Sequence, residues 1–474
     1  MKRFAVCCMM TVTVLSGCTA IAVDPNAGFP QVSQLVTERA GKEVAWTPGV
    51  EETPPMLEAI DRRLKDGLSE DDAVQIALLN NRNLQALYAQ LGIAQADLVQ
   101  ASLLHNPVVD AITGFPVGGG IVDLSFGVAM DFIDLLYVPL RKRVATAQFE
   151  ETKLRIAAEV LDLAWQTQTA FYQYQANEQM LEMRRQVAAS TAASFELARR
   201  MREAGNLREL DLTSERVLAE EAKLDLRLAE VAVRESREQL NTLMGLWGET
   251  VQVWTAVPVR LPDPGEPPDL ERLESRAIER SLDLAAAERL MTAAAENVTL
   301  DRTSGLFPEL IFGGKGERDG PEWEPGPMFV LPLPLFDRGQ ARIARAQAEL
   351  RQARDLRYAL AVRIRAVTRS TRDRLGGYRD RALHYRNVLL PVLDRVLQET
   401  QLQYNAMQVG PLDLLRAKEQ QIETAVRYID ALGEYWMAHA DLALILAGRL
   451  PPTEPAPAAP ALEQLPRFPF PTLR

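Results

Sequence analysis

The sequence predicts a mainly α-helical chain that carries a small membrane-spanning β portion. The stretch 140–204 holds neither glycine nor proline. As a helix it would be about 100 Å long, far longer than a globular domain needs. Residues 122–132 alternate between apolar and small or polar side chains. That alternation is expected of a strand with lipid on one face and water on the other. Both patterns have a counterpart later in the chain, which indicates an internal repeat.

Composition and charge exclude several classes of function. The 474-residue chain has a formal net charge of -11, and this acidic balance argues against nucleic-acid binding, which needs a basic face. All three cysteines, Cys7, Cys8 and Cys18, lie within the first twenty residues. The rest of the chain therefore has neither a disulfide nor a thiolate metal site. The histidines lack ligand spacing, so we expect no metal site and no cofactor.

The N-terminus has the form of an export signal. Lys2 and Arg3 precede an apolar run of about a dozen residues, too short to span a bilayer as a helix. The run ends in a Leu-Ser-Gly-Cys motif at Cys18, which resembles a bacterial lipobox. An ordinary secretory signal with an incidental cysteine is the alternative. We expect residues 1–17 to be a lipoprotein signal peptide, Cys18 to be lipidated, and Thr19 to permit sorting to the outer membrane.

Internal similarity divides the chain into two repeats. The segment from Ala77-Leu78 to Asn106-Pro107 is echoed, about 200 residues later, by the segment from Ala277-Ile278 to Phe307-Pro308. We expect an N-terminal anchor and extended segment, a first repeat, a Pro-rich linker, a second repeat and a Pro/Ala-rich disordered tail. Their predicted bounds are 18–67, 68–257, 258–268, 269–448 and 449–474.

Each repeat is predicted to contain a helix, a β-hairpin and a long helical hairpin. Ser69 and Asp72 predict the first helix start, and Asn106-Pro107 predicts its end. In the second repeat, the long helix is expected to break at Gly376-Gly377 and at Pro391. The β-hairpins are expected at 107–132 and 308–335, and the helical hairpins at 140–244 and 340–447. Four strands of a buried sandwich are the alternative, although this suits a chain with so much helix poorly.

In the last helix, apolar residues recur seven apart, a spacing typical of coiled coils. They are Leu415, Ile422, Ile429 and Trp436. This arrangement behind a lipobox resembles the TolC-type outer-membrane factors, from about Leu68 to Gly448. The run from Leu331 to Gly339 is similar to the family's strand exit. The stretches 404–415 and 37–46 are similar to its heavy-metal efflux branch.

The resemblance implies a fold that one chain cannot complete. Three chains would form a homotrimer, each giving four strands to a twelve-stranded barrel and its long coiled-coil helical hairpins to a periplasmic tunnel. It also implies an outer-membrane channel, the passive exit duct of a tripartite efflux system. Substrates, heavy-metal cations among them, would come from an inner-membrane resistance-nodulation-division pump through a periplasmic adaptor.

Two other classes of function are alternatives to a channel. A periplasmic coiled-coil adaptor lipoprotein is the rival, but adaptors usually carry one helical hairpin flanked by β-domains. An enzyme is not expected, because the sequence has no Ser/His/Asp order, no phosphate-binding loop and no metal-ligand spacing.

The turns of the two helical hairpins are expected to form the periplasmic tip. The turn residues expected to contact the adaptor are Gly205, Asn206, Gly410 and Pro411. In the family, acidic residues after the second turn ring the constriction, and Asp413 matches the first such position. Arg416 stands at the next position, and Asp211 is the candidate in the first repeat. Asp413 has an equally good interpretation as a helix cap. The second turn is also expected to be shorter than the first.

Overall fold

A computed structural model of the chain describes residues 24, 26–47, 54–115, 122–266, 270–306, 309–319 and 322–452. The predicted signal peptide, Cys18, residues 116–121 of the first predicted β-hairpin and all but the first few residues of the predicted tail lie outside these ranges. Within them, no helix is both long and apolar enough to cross a membrane.

Two successive sets of elements follow the same order along the chain. The first set is α1 (Phe29–Ala40), α2 (Pro54–Lys65), α3 (Glu70–Asn80), α4 (Arg82–Ser102), β1 (Val108–Gly114), β2 (Asp123–Asp131), α5 (Asp134–Glu203) and α6 (Glu209–Met244). The second is α7 (Leu273–Arg280), α8 (Leu282–Leu306), β3 (Ile311–Asp319), β4 (Glu322–Val330), α9 (Gln340–His384), α10 (Leu390–Asn405) and α11 (Pro411–Ala447). From α3 and α7 onward, each set runs through two helices, a β-hairpin and a helical hairpin.

The sequence predicts one continuous helix at the start of each repeat, but the structure has two. They are α3 and α4 in the first repeat and α7 and α8 in the second. The Asn81 side chain accepts hydrogen bonds from the N–H groups of Asn83, at 2.9 Å, and Leu84, at 3.2 Å. Ser281 accepts from the N–H of Leu284 at 3.0 Å. Each side chain satisfies free donors at a helix N-terminus, so α4 and α8 start as separate helices at equivalent positions.

The long helices differ from the prediction at two places. α5 begins at Asp134, six residues before the predicted start, and contains Pro139 near its N-terminus, where a missing donor disturbs the helix least. α9 continues without a break through Gly376-Gly377. The irregularity is a π-helical turn at Tyr385–Leu389. Pro391 cannot donate to the carbonyl four residues back, and the wider turn accommodates that loss.

The four strands form one antiparallel sheet in the order β1-β2-β3-β4. β2 pairs with β3, so the sheet joins the two repeats. The second hairpin was predicted to extend to residue 335, but β4 ends at Val330. Pro325 and Pro327 lie within β4, an edge strand, where missing donors are tolerated. In the described chain, β1 and β4 each pair on one side only.

Two apolar cores follow each other along α5, one before and one after its midpoint. One combines α5 with α2, α3, α6 and α11 around the fully buried Trp254, whose indole N–H donates to Asn241 at 2.8 Å. The other combines α5 with α1, α3 and α4. In it the rings of Phe29 and Tyr88 meet edge to face, with centroids 5.0 Å apart. α1 therefore covers one side of α5.

Candidate duct surface and helical tips

The sheet has one apolar face and one charged face. Residues paired directly across antiparallel strands share a face, so the register assigns every strand position to one side. The apolar face includes Leu124, Phe126, Val128, Met130, Phe312, Trp323 and Phe329. Phe126 is 48% exposed and stacks on Trp323 with ring centroids 6.1 Å apart, whereas neighbouring Ser125 is 7% exposed.

Carboxylates concentrate on the opposite face of the sheet. They include Asp110, Asp123, Asp131, Glu317, Glu322 and Glu324. The same face also carries the apolar residues Val108, Ile112, Ile311, Met328 and Val330. Glu317 and Glu324 lie directly opposite each other, and Lys315 lies 3.2 Å from Glu317. On the apolar face of the described strands, the one charged side chain is Arg318, paired across from Trp323 near the hairpin end. One face of the sheet is thus compatible with lipid, and the carboxylates lie on the other face, among apolar side chains.

Below the sheet, four helices enclose a cavity of about 650 Å³. α4, α5, α8 and α9 each contribute to its lining. The charged lining residues are Asp97, Glu151, Arg155, Glu159, Asp283, Glu349 and Arg449. Carboxylates outnumber guanidinium groups here, as they do on the charged face of the sheet.

Arg449 joins three helices beside this cavity. Its guanidinium donates to Asp162 of α5 at 2.6 and 2.8 Å, and to Asp283 of α8 at 2.6 Å. Glu159 lies 3.3 Å away. Burial raises the pKa of Asp162 to about 6, although Arg449 acts in the opposite direction. The Arg449 pKa is raised because these carboxylates, which outweigh its burial, favour the charged guanidinium.

The residue before Arg449 completes this junction. Gly448 has φ of 111°, a conformation that favours glycine, and a Cβ there would lie 2.2 Å from the carbonyl oxygen of Arg280. Arg39 of α1 donates to the same carbonyl at 2.5 Å. The end of α11 is therefore fixed between both repeats and α1. We call Arg39, Gly448 and Arg449, with Asp162 and Asp283, the equatorial clasp.

The two helical tips share one backbone design. At the first, Asn206 donates its N–H to Met201 at 2.8 Å and Gly205 donates to Arg202 at 2.9 Å. At the second, Gln408 donates to Gln403 and Met407 to Tyr404, each at 2.9 Å. This is the Schellman ending of a helix, in which one residue takes a left-handed conformation. Gly205 takes it at the first tip and Met407, at φ of 58°, at the second.

The connections at the two tips have equal length, so the expectation of a shorter second turn is wrong. Five residues separate α5 from α6, and five separate α10 from α11. Gly205 and Asn206 lie in the first connection, and Gly410 immediately precedes Pro411, the first residue of α11. Asp211 and Asp413 are each the third residue of their helix, and therefore occupy equivalent positions.

Asp413 caps its helix. Its carboxylate accepts from the N–H of Gly410 at 3.0 Å, while Arg416 lies 3.9 Å from the other carboxylate oxygen. Asp211 accepts two hydrogen bonds from Arg208, at 2.9 and 3.0 Å. These bonds lower the pKa of Asp211, with a smaller contribution from the charge of Arg416. The two tips therefore lie close enough for their charges to interact.

In the described residues, no group of three or more His, Cys, Asp or Glu side chains is arranged to hold a metal ion. His105, His384 and His439 lie on different elements. The carboxylates of the charged face and of the cavity are spread along the chain, and suit transient attraction of cations better than tight coordination.

The chain is similar in sequence to known resistance and efflux proteins. The cobalt-zinc-cadmium resistance protein CzcC of Cupriavidus metallidurans is 22% identical over 401 residues, which cover 82% of this chain and 93% of CzcC. The toluene efflux pump outer membrane protein TtgC of Pseudomonas putida is 24% identical over 370 residues, covering 70% and 72% of the two chains. No protein-family model matches the chain.

Solved structures share the fold over most of the length of this chain. CusC superposes with a TM-score of 0.66 at 16% identity, over 82% of this chain and 94% of CusC. The Campylobacter jejuni CmeC outer membrane channel gives 0.68 at 13% identity, over 88% and 91%.

The two-faced sheet and the doubled helical hairpins define a TolC-type fold. The chain has the fold of the TolC-type outer-membrane channels, and its relatives by sequence are outer-membrane efflux proteins, as the resemblance predicted. Its relatives are channel and efflux proteins rather than enzymes, and the adaptor alternative is not supported. The similarity to CzcC supports the heavy-metal branch.

Sequence reasoning missed the equatorial clasp. Arg449 was assigned to the tail and Arg39 to an extended segment, yet both make contacts with α7, α8 or α5 that are remote in sequence. The one available signal was the Gly448-Arg449 pair after a long apolar helix, since glycine commonly ends helices. Nothing in a single sequence identifies the carboxylates that Arg449 binds.

Proposed function

We propose that the chain is the outer-membrane exit duct of a tripartite efflux system and that three copies form one channel. The observation that carries the proposal is the division of the sheet into an apolar and a charged face. The lipid interior requires apolar side chains on the outside, and a conducting lumen tolerates charge on the inside. The acidic cavity below the sheet would continue the lumen into the periplasm.

The open edges of the sheet support assembly from several copies. Among the described residues, β1 and β4 have no partner on their outer sides, and unpaired backbone groups are costly in lipid. Pairing β4 of one copy with β1 of the next would remove both edges, and three copies would supply twelve strands.

Exposed apolar stripes on the edge helices support the same assembly. On α6, the stripe comprises Leu210, Val217, Leu224 and Val231, seven apart and 69%, 51%, 60% and 38% exposed. Seven-residue spacing keeps them on one side of the helix. On and just before α10, Val388, Val392, Val396 and Leu402 are 44%, 52%, 42% and 61% exposed. Packing α6 of one copy against α10 of the next would cover both stripes.

The names of the relatives support the partners and the cargo that we propose. A duct of this kind needs a periplasmic adaptor at its helical tips, and Gly205, Asn206, Gly410 and Pro411 are the contact residues we propose. An inner-membrane resistance-nodulation-division pump would supply the energy. CzcC belongs by name to cobalt, zinc and cadmium resistance. Together with the acidic duct surface, this favours divalent metal cations as cargo, attracted by the carboxylates.

Lipid attachment at Cys18 is compatible with the position of α1. Gly28 packs against Phe149 and Lys153 of α5, about 22 Å along that helix from its start at Asp134. Ten extended residues reach about 33 Å, so a lipid on Cys18 has enough chain to enter the membrane beside the strands. We expect Cys18→Ala to abolish palmitate labelling and membrane retention of monomers. Continued labelling of that variant would show that another residue carries the lipid.

The proposed function is tested by charge on the two faces of β2. An arginine at position 126 would face lipid, and we expect Phe126→Arg to destabilise the trimer by about 2–4 kcal/mol. Ser125→Arg is the matched control, because its partner on β3 is Glu317, which offers a counter-charge. Heat-modifiable trimer on gels and conductance in planar bilayers are the measurements. Equal damage from both substitutions would contradict the assignment of the faces.

A further inference from the structure

An apolar collar surrounds the junction between the sheet and the long helices. It consists of Phe132, Leu135, Leu136, Leu306 and Phe336, which are 54%, 44%, 64%, 65% and 93% exposed. These residues come from three separate strand–helix connections: the β2–α5 turn, the end of α8 and the approach to α9. They lie at one level, because the backbone of Arg338 packs directly against Gly305 at the end of α8.

The helical part of the collar points away from the duct. Leu136 precedes Ala145, which lines the cavity, by nine residues, or about two and a half turns. The two side chains therefore lie on opposite sides of α5. Leu306 follows the cavity-lining Leu290 by sixteen residues, about four and a half turns of α8, and also faces outward.

Three cations lie just below the collar. Lys142, Arg143 and Arg302 are exposed, and we call them the basic band. Arg143 precedes the cavity-lining Thr152 by nine residues, so it faces outward like Leu136. Lys142 precedes the cavity-lining Phe149 by seven residues, so it starts from the flank of α5 that is nearer the cavity. Arg302 is one turn from Leu306 on the same side of α8. Along the helix axes, these cations lie about 6–10 Å from the collar leucines. The nearest carboxylate to Arg143 that forms an ion pair is Glu296, at 4.0 Å.

A basic band at this level is unexpected in a chain with a net charge of -11, and Arg143 and Arg302 are its outward-facing members. In a lipid leaflet, the apolar acyl chains give way to polar headgroups over a similar distance. Apolar side chains with lysine and arginine about 10 Å away match that change. A zwitterionic headgroup has no net charge, whereas an anionic headgroup is attracted by the cations of the band. The collar also continues the apolar face of the sheet, since Phe132 has the same strand parity as Phe126 and Val128.

We propose that the collar and the basic band bind anionic phospholipids, with phosphatidylglycerol as the representative headgroup, in the periplasmic leaflet around the channel. The inference rests on the proposed function, because it requires the sheet to span the outer membrane. In a trimer the band would form a ring of cations, each repeating three times. The acyl chains lie against the collar, and the headgroup phosphates lie between Lys142, Arg143 and Arg302.

The experiment uses the purified full-length trimer, equilibrated in detergent with equal amounts of dioleoyl phosphatidylglycerol and dioleoyl phosphatidylcholine. Lipid bound to the intact trimer is counted by native mass spectrometry. We expect wild-type protein to retain phosphatidylglycerol preferentially. The variant Lys142→Gln/Arg143→Gln/Arg302→Gln should reduce that preference by at least fivefold, about the factor that one interfacial cation supplies. Inorganic phosphate at the same concentration should not displace the lipid.

The control variant is Arg351→Gln/Arg354→Gln/Arg365→Gln. These three arginines are exposed on α9, and their substitution changes the net charge equally, so lipid preference should stay at the wild-type level. Unchanged preference in the band variant, or an equal loss in the control, would overturn the inference. Failure of the proposed function would look different, because the wild-type protein would then form neither a heat-modifiable trimer nor a conducting channel.

Discussion

Replacing Arg449 by methionine tests whether the equatorial clasp holds the two repeats together. Methionine keeps much of the side-chain volume and removes the charge. The substitution removes the cation that pairs with the carboxylates of Asp162 and Asp283. These two side chains are only 10% and 11% exposed. Breaking a buried ion pair by removing one partner typically costs about 3–5 kcal/mol. We expect a loss of this size per chain, because Arg449 makes short contacts with both carboxylates.

The cost should depend on pH in a defined direction. Burial raises the pKa of Asp162 to about 6 from an ordinary value of 3.8, and Arg449 limits that rise. Without Arg449 the folded-state pKa rises further, so the folded variant keeps a proton that the unfolded chain releases above about pH 4. The stability of the variant therefore falls as pH rises from about 4 to beyond 6. We expect Arg449→Met to lose more stability at pH 7.5 than at pH 5.

The assay is urea unfolding of the detergent-solubilised protein, followed by circular dichroism at both pH values. A second variant, Arg449→Met with Asp162→Asn and Asp283→Asn, removes the stranded charges and should recover part of the loss. If Arg449→Met unfolds like wild type at pH 7.5, the clasp does not stabilise the chain. If the triple variant is no more stable than Arg449→Met, the loss comes from packing rather than from buried charge.

Two further predictions concern ions in the duct. Because Glu317 and Glu324 lie opposite each other on the charged face, replacing both by lysine should shift the reversal potential in a KCl gradient towards anion selectivity; unchanged selectivity would place this face outside the ion pathway. At the tip, Asp413→Asn keeps the acceptor for the Gly410 N–H and removes the charge, so it separates gating from capping. We expect Asp413→Asn, and more so Arg416→Ala, to raise single-channel conductance and weaken cation block from the periplasmic side; wild-type conductance and block in both variants would leave Asp413 as a cap alone.

The periodic parts of the fold were predictable because periodicity reports burial directly. The alternation around Phe126 gives the two faces of β2, and the absence of glycine and proline gives the length of α5. Helix ends proved harder to predict. Asn81 and Ser281 interrupt the first helix of each repeat through local side-chain capping, which a hydrophobic stripe does not register. Gly376-Gly377 shows the converse, since packing in the long helix outweighs the low helix propensity of glycine.

The candidate site was predictable only where the repeat itself carried information. The echo between Leu210-Asp211-Leu212 and Leu412-Asp413-Leu414 places two aspartates at corresponding positions, and the structure has both as the third residue of a helix that leaves a tip. Contacts between residues that are far apart in sequence produce no such repeated pattern. The Arg449 clasp joins residues more than 160 positions apart, so it emerges only once the helices are packed.

The equivalence of the two tips has a consequence for gating. Asp211 is neutralised within its own tip, because Arg208 forms two hydrogen bonds with it. Asp413 has Gly410 at the corresponding cap position, and its nearest cation, Arg416, is 3.9 Å away. A carboxylate held by a strong local partner has little attraction left for another chain, whereas Asp413 and Arg416 remain more than half exposed. In the trimer that we propose, Asp413 would therefore keep more of its charge available for a neighbouring chain than Asp211, and we propose the gate at Asp413.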